Sequence, residues 1–307
     1  GVGVASSGEG REASMFKGSI PALVTPMRGD GSIDFEAWDR LLDYHLAEGS
    51  DAVVVGGTTG ESPALERSEL EELIRHARQR LAGRIPVIAG SGTAGTAKSV
   101  ALSKAAEAAG ADALLVVTPY YNRPTQEGLV QHFTAIADAV GIPLVLYNVP
   151  GRTACDMLPE TIARLSRHGR IAGVKEATGD VARGLEVLRL ARPGFVVLSG
   201  DDATAAALMR VGAQGVISVT ANVAAGAMHD MCAVALRGAH DEAAAIDARL
   251  APLHRALFVE PNPIPVKWAV HRMGLIGETI RLPLVPLTPG ERAEVEAAMR
   301  AAGVLAS

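Results

Sequence analysis

Short apolar runs alternate with longer amphipathic stretches along most of the chain from residue 19 onward. The apolar runs are SIPALVTP (19–26), DAVVVGG (51–57), IPVIAG (85–90), DALLVVTP (112–119), IPLVLYN (142–148), IAGVKEA (171–177), FVVLSG (195–200) and GVISV (215–219). Between them lie stretches such as FEAWDRLLDYHLAEG and SELEELIRHARQRLAG, whose apolar positions recur at helical spacing. Near-continuous apolar strands alternating with helices mark a parallel sheet covered on both faces. Eight such runs by residue 219 predict an α/β fold of the (β/α)8 TIM-barrel type, whose core takes about 250 residues. A doubly wound sheet is the alternative, but it usually carries fewer strands and a second domain. After residue 235 the strand pattern stops and three helix-like segments follow. The last opens with Thr288-Pro289-Gly290-Glu291, which reads as a capping box with proline at the first helical position. The expected organisation is a barrel over 15–235 and a C-terminal helical region over 236–307 packed on it. Residues 1–14 are small and polar, Met15 reads as a natural start, and the stretch before it is expected to be a disordered or artificial extension.

Composition narrows the class. Of 307 residues, 48% are hydrophobic, which allows a large core and excludes a disordered chain. The 29 basic against 34 acidic side chains leave a net charge of −5, poorly suited to meeting phosphates, so no nucleic-acid partner is expected. No apolar run approaches the roughly 20 residues that span a bilayer, so no membrane partner is expected either. Cys155 and Cys232 form no CxxC pair and no disulfide framework. Residues 1–14 lack the basic and apolar regions of a secretory signal. The protein is expected in the cytoplasm.

Candidate chemistry starts with three exclusions. Gly90-Ser91-Gly92-Thr93-Ala94-Gly95 fits GxGxxG after a strand, but the acidic residue at a suitable distance, Asp112, precedes its strand and belongs at the opposite end of the sheet. The eight histidines are scattered without HxH or HExxH spacing, so no metal site is expected, and no GxSxG elbow occurs. Lysine is more informative. Of five, only Lys175 ends an otherwise apolar strand, where desolvation disfavours an ammonium and a free amine can attack a carbonyl. A structural pairing with Glu176 is the competing reading. Tyr120, Tyr121 and Tyr147 fall at the ends of strands 4 and 5, on the barrel face where active sites of this fold sit. The loop Gly57-Thr58-Thr59-Gly60-Glu61-Ser62 offers hydroxyls and N–H groups to an anion, with capping by Ser62 or Thr59 as the plainer alternative. Arg152 offers a planar donor pair to a carboxylate. Of Asp201 and Asp202, one is expected to cap the helix that begins ATAAAL.

Taken together, GTTGES (57–62), TPYYNRP (118–124), YNVPGRT (147–153), VKEATG (174–179), GVISVTANV (215–223) and EPNPIPVKW (260–268) resemble the 4-hydroxy-tetrahydrodipicolinate synthase family over about residues 15–304. The GTTGE loop and the lysine are shared with wider relatives such as N-acetylneuraminate lyase and sugar-acid aldolases; the arginine and the EPNPIPVKW string point to the synthases. The resemblance implies that Lys175 forms an imine with pyruvate, without metal or organic cofactor. It also implies a proton relay of Tyr147, Thr58 and Tyr121, the last reaching in from a neighbouring subunit of a homotetramer built from two tight dimers. Thr59 and Ile217 match pyruvate-binding positions, Gly200 is a further substrate-binding position, and Arg152 matches the residue receiving the carboxylate of L-aspartate 4-semialdehyde. Feedback by L-lysine is expected to be weak or absent. Ser62 and Tyr120 match the effector groove of lysine-sensitive relatives, but Arg67, Leu70, Ala94 and Lys98 stand where those carry two histidines, an asparagine and a glutamate. The competing activities are another pyruvate-dependent sugar-acid lyase and a nicotinamide oxidoreductase using the GSGTAG loop.

Overall fold

A computed structural model describes residues 15–306; the expectation for residues 1–14 lies outside them. Each apolar run forms a short strand and each is followed by at least one helix. In chain order these are β1 (Gly18–Pro21), α1 (Phe35–Ala47), β2 (Val53–Val55), α2 (Arg67–Leu81), β3 (Val87–Gly90), α3 (Thr96–Ala109), β4 (Ala113–Val117), α4 (Gln126–Ala139), β5 (Leu144–Asn148), α5 (Pro150–Thr153), α6 (Pro159–Leu165), β6 (Ile171–Glu176), α7 (Val181–Leu190), β7 (Val196–Ser199), α8 (Asp202–Arg210), β8 (Gly215–Ser218) and α9 (Ala225–Leu236). Three helices follow, α10 (His240–Ala256), α11 (Ile264–Arg272) and α12 (Arg292–Ala301).

All strand pairings are parallel, and the order β1-β8-β7-β6-β5-β4-β3-β2 is closed by a parallel bridge between Ala22 and Val54. This is the (β/α)8 barrel predicted from the alternation. The reason for the near-continuous apolar runs is visible in the two cores. Inward-facing side chains, including Ile20, Val54, Ile88, Leu115, Val145, Leu198 and Ile217, fill the barrel. Outward-facing ones such as Val53, Val55, Leu114, Val116, Leu146 and Val197 pack under the helices. A strand buried on both faces has no polar side to show.

One irregularity matters for chemistry. The register between β5 and β6 shifts, with Leu144 opposite Ile171 but Val145 opposite Gly173. The extra residue, Ala172, joins the inner core, whereas Ile171 and Val174 belong to the outer one. A bulge of this kind re-aims every later side chain on its strand. It places Lys175 level with Tyr147, a residue of the inner core.

Local capping departs from expectation at three places. The Thr288 side chain makes no capping bond, and its own N–H, which a capping box would give to Glu291, is taken by Glu260 Oε1; a single 3₁₀ turn, Pro289–Glu291, precedes α12. Asp201 stands at the start of α8 without capping it and accepts the Thr204 hydroxyl instead. Its neighbour Asp202 reaches across to β8 and accepts the N–H groups of Val219 and Thr220 and the Ser218 hydroxyl. Neither Thr59 nor Ser62 caps α2, which carries its own box of Glu66 and Glu69.

Candidate active site

At the C-terminal ends of the strands, Lys175 is 7% exposed, and its Nζ stands 3.9 Å from the centroid of the Tyr147 ring. Among the described residues it forms no ion pair. Glu176 does not serve as its partner, because alternate residues of a strand face opposite ways; its Oε1 accepts the Thr178 N–H instead. Gly200, at the end of β7, lies directly against the lysine. A Cβ there would come within 2.9 Å of both Cγ and Cε of Lys175 and 2.7 Å of Ala177 Cβ. Ile217 is buried in the same inner layer.

Tyr147 is also buried. Burial pushes its phenol up, but the charge on Lys175, the Thr58 hydroxyl and the Arg152 guanidinium outweigh it and leave the pKa below its ordinary value. A phenol shifted this way gives and accepts a proton more readily near neutral pH.

Thr58 and Thr59 occupy a tight turn after β2. Three N–H groups of this turn are used internally, Gly60 and Ser62 to the Gly57 carbonyl and Glu61 to the Thr58 carbonyl. Among the described residues the N–H groups of Thr58 and Thr59 meet no acceptor, so two donors beside Lys175's end of the barrel are available to an anion. Arg152, on α5, is exposed, and its Nη2 donates to the Asn262 carbonyl at 3.2 Å. Thr58, Tyr147 and Arg152 line a cavity of about 570 Å³ that extends outward to Ser62, Arg67, Lys98 and Tyr120.

Of the site residues expected from the sequence, Lys175 stands over Tyr147 and against Gly200, Ile217 shares their buried inner layer, Thr58 and Arg152 line the cavity with Tyr147, and Thr59 follows Thr58 in the turn. Tyr121 is the exception within one chain. It is 93% exposed and has a left-handed backbone with φ 73°. The glycine-rich decoy has a packing explanation: side chains at Gly90 and Gly92 would run into the backbone of Gly56 and Val117. Asp112 accepts the Val87 N–H at the start of β3, the opposite end of the sheet. Among the described residues no group of three or more His, Cys, Asp or Glu side chains is placed to hold a metal ion. Buried histidines serve packing; His132 pairs with the Thr96 hydroxyl and His254 with that of Thr220.

Sequence reasoning assigned no role to Asn262, Glu61 or Lys267. Asn262 Nδ2 donates to Thr59 Oγ1 at 3.0 Å, and Lys267 Nζ meets Glu61 Oε2 at 2.6 Å in full burial. Burial holds the Lys267 pKa below its ordinary value despite that carboxylate. Both Asn262 and Lys267 lie in the EPNPIPVKW string, which carried a resemblance but no periodicity or spacing that points to a partner some 200 residues away.

Comparison with known proteins agrees in fold and in length. The sequence profile described as the Dihydrodipicolinate synthetase family matches residues 15–302. A 4-hydroxy-tetrahydrodipicolinate synthase of Ectopseudomonas mendocina is 58% identical over 292 residues, covering 95% of this chain and 100% of that protein. Its counterpart in Pseudomonas aeruginosa is 57% identical over the same shares. The crystal structure of a dihydrodipicolinate synthase from Acinetobacter baumannii, complexed with pyruvate, superposes with a TM-score of 0.93 at 48% identity, covering 94% of this chain and 99% of that one.

Proposed function

The chain belongs to the dihydrodipicolinate synthetase family, and from that premise we propose how its residues carry the family's reaction. The protein condenses pyruvate with L-aspartate 4-semialdehyde to 4-hydroxy-tetrahydrodipicolinate, in diaminopimelate and lysine biosynthesis. Lys175 is the nucleophile. Its amine adds to the keto carbon of pyruvate, water leaves, and the resulting imine nitrogen takes up the electrons when a methyl proton departs. The enamine attacks the aldehyde carbon of the second substrate. That substrate's own amine then displaces Lys175 from the imine carbon and closes the ring. The imine is the electron sink, so the route needs neither metal nor organic cofactor.

The observation that carries this reading is a buried lysine inside the barrel mouth, free of any carboxylate among the described residues and stacked over a tyrosine. Tyr147, with its lowered pKa, and Thr58 beside it are the proton relay. The free N–H groups of the Thr58–Thr59 turn receive the pyruvate carboxylate, with Thr59, Ile217 and Gly200 shaping its seat. Arg152 receives the carboxylate of the semialdehyde. Tyr121 completes the relay of a neighbouring subunit in a homotetramer of tight dimers; its near-complete exposure on one chain suits that role. The reaction is assigned to the cytoplasm. No helix of the described residues is long and apolar enough to cross a membrane.

A coupled assay with pyruvate and L-aspartate 4-semialdehyde tests the reading. Turnover that requires both substrates supports it. Release of pyruvate from a sugar acid, with no condensation activity, would overturn it.

A further inference from the structure

Glu61 combines two costly features. Its backbone is left-handed, with φ 62°, where glycine is favoured and a long side chain is strained. Its carboxylate is fully buried, with 1% of the side chain exposed. A glycine would adopt the backbone without strain, so the carboxylate itself must be what the position requires. Its two oxygens are both engaged by the C-terminal region: Lys267 Nζ at 2.6 Å from Oε2, and the Arg281 N–H at 2.9 Å from Oε1. Arg281 in turn grips Glu69 through two parallel bonds of 2.6 and 2.7 Å and donates to the Ala64 carbonyl. The turn that presents the Thr58 and Thr59 N–H groups ends at Glu61, whose own N–H closes it on the Thr58 carbonyl.

We propose that the buried Glu61–Lys267 pair is a positioning device that sets the Thr58–Thr59 turn for the keto acid, making α11 part of the active site. The proposal rests on the reading of Lys175 as the imine-forming residue. Neither member of the pair touches substrate; both act through the turn. Buried ion pairs are weak contributors to net stability but hold geometry when both partners are held; here Lys267 Nζ reaches Glu61 Oε2 at 2.6 Å and the Met27 sulfur at 3.4 Å, and the other Glu61 oxygen takes the Arg281 N–H. If the pair served the fold alone, removing both charges together would leave the binding of the two substrates alike.

The test is the double variant Glu61→Gln/Lys267→Met, which removes both charges together and keeps an acceptor for the Arg281 N–H. Melting temperature, the KM of each substrate and borohydride trapping with pyruvate are measured beside the unaltered enzyme. The pyruvate KM is expected to rise by about tenfold, the scale of one misplaced hydrogen bond, with trapping slowed at low pyruvate. The semialdehyde KM is expected to stay within about twofold, and the melting temperature near that of the parent. An unchanged pyruvate KM, or an equal rise in both KM values with a lowered melting temperature, would overturn the proposal. Should the double variant not fold, Glu61→Asp withdraws the carboxylate by one methylene, eases the backbone and gives the same readout. Failure of the unaltered enzyme to trap pyruvate would instead count against the Lys175 reading itself.

Discussion

A methyl group at Gly200 would press on Cγ and Cε of Lys175 from 2.9 Å, a distance that real Cβ contacts essentially never reach. Gly200→Ala is therefore expected to swing the lysine out of line. Misplacing a reacting group by an ångström can cost about a hundredfold, so kcat should fall at least about tenfold; the 2.7 Å approach to Ala177 Cβ, which has no flexible end to move, should lower the melting temperature as well. Steady-state kinetics with a thermal scan checks this; unchanged kcat would mean the lysine has room that the packing denies. Arg152 makes the opposite kind of prediction. It is exposed and tied to the fold by one bond to the Asn262 carbonyl, so Arg152→Ala should leave pyruvate trapping intact. A charge-assisted hydrogen bond is worth about 1.5–3 kcal/mol, which raises the semialdehyde KM by about 10- to 150-fold. Equal loss of trapping would place the arginine in the pyruvate seat. Lys175 was legible because a lysine near the end of an apolar run is conspicuous, even with Glu176 beside it at the end of β6. Asn262 and Glu61 were not, since a polar residue in a loop carries no sign of a partner 200 positions away. The lysine's orientation was hidden too, for a single inserted residue, Ala172, leaves no trace in an apolar run.

Elements follow the same division. The eight strands and the helices between them were readable because each strand must be apolar on both faces, and the three closing helices because the strand pattern ends. Caps were harder: Thr288-x-x-Glu291 has the right residues, yet Glu260 occupies the N–H the box would use. The faces of α2 and α3 that border the cavity bear on regulation. Arg67 and Leu70 from α2 and Lys98 from α3 line its outer part with Ser62 and Tyr120. Arg67 is itself tied to Glu71 at 3.0 Å. An effector with two ammonium groups would meet Lys98 there; like charges about 4 Å apart repel by roughly 1 kcal/mol in water and nearer 4 at a partly buried site. L-lysine is accordingly expected to inhibit weakly or not at all in a dose series at subsaturating pyruvate. Half-inhibition at submillimolar lysine would show that the groove binds it by other contacts.

At the scale of the whole molecule, acid sensitivity follows from two buried imidazoles. Burial lowers His45 to about 3 and His132 to about 4, from 6.5, and the Nε2 of each has no hydrogen-bond partner among the described residues. An unfolded chain takes up protons on these residues near pH 6.5, whereas the folded one resists until pH 4 or below. Stability should thus be flat in this respect above pH 6.5 and fall as pH drops from 6.5 toward 4. Glu69 and Asp156, held below the usual carboxylate range by hydrogen bonds from Arg281 and Arg183, add a further loss at lower pH. Urea midpoints across pH 4–8 check this, and His45→Leu/His132→Leu should flatten the slope between 6.5 and 4. A slope that survives the double variant would assign the sensitivity to other groups. The central claim is the covalent one, that a single lysine in the barrel mouth carries pyruvate as an imine. Borohydride reduction in the presence of pyruvate, followed by intact-mass and peptide analysis, tests it most directly. One adduct per chain on Lys175, abolished in Lys175→Ala, is the predicted result; an adduct on Lys267, or none at all, would contradict it.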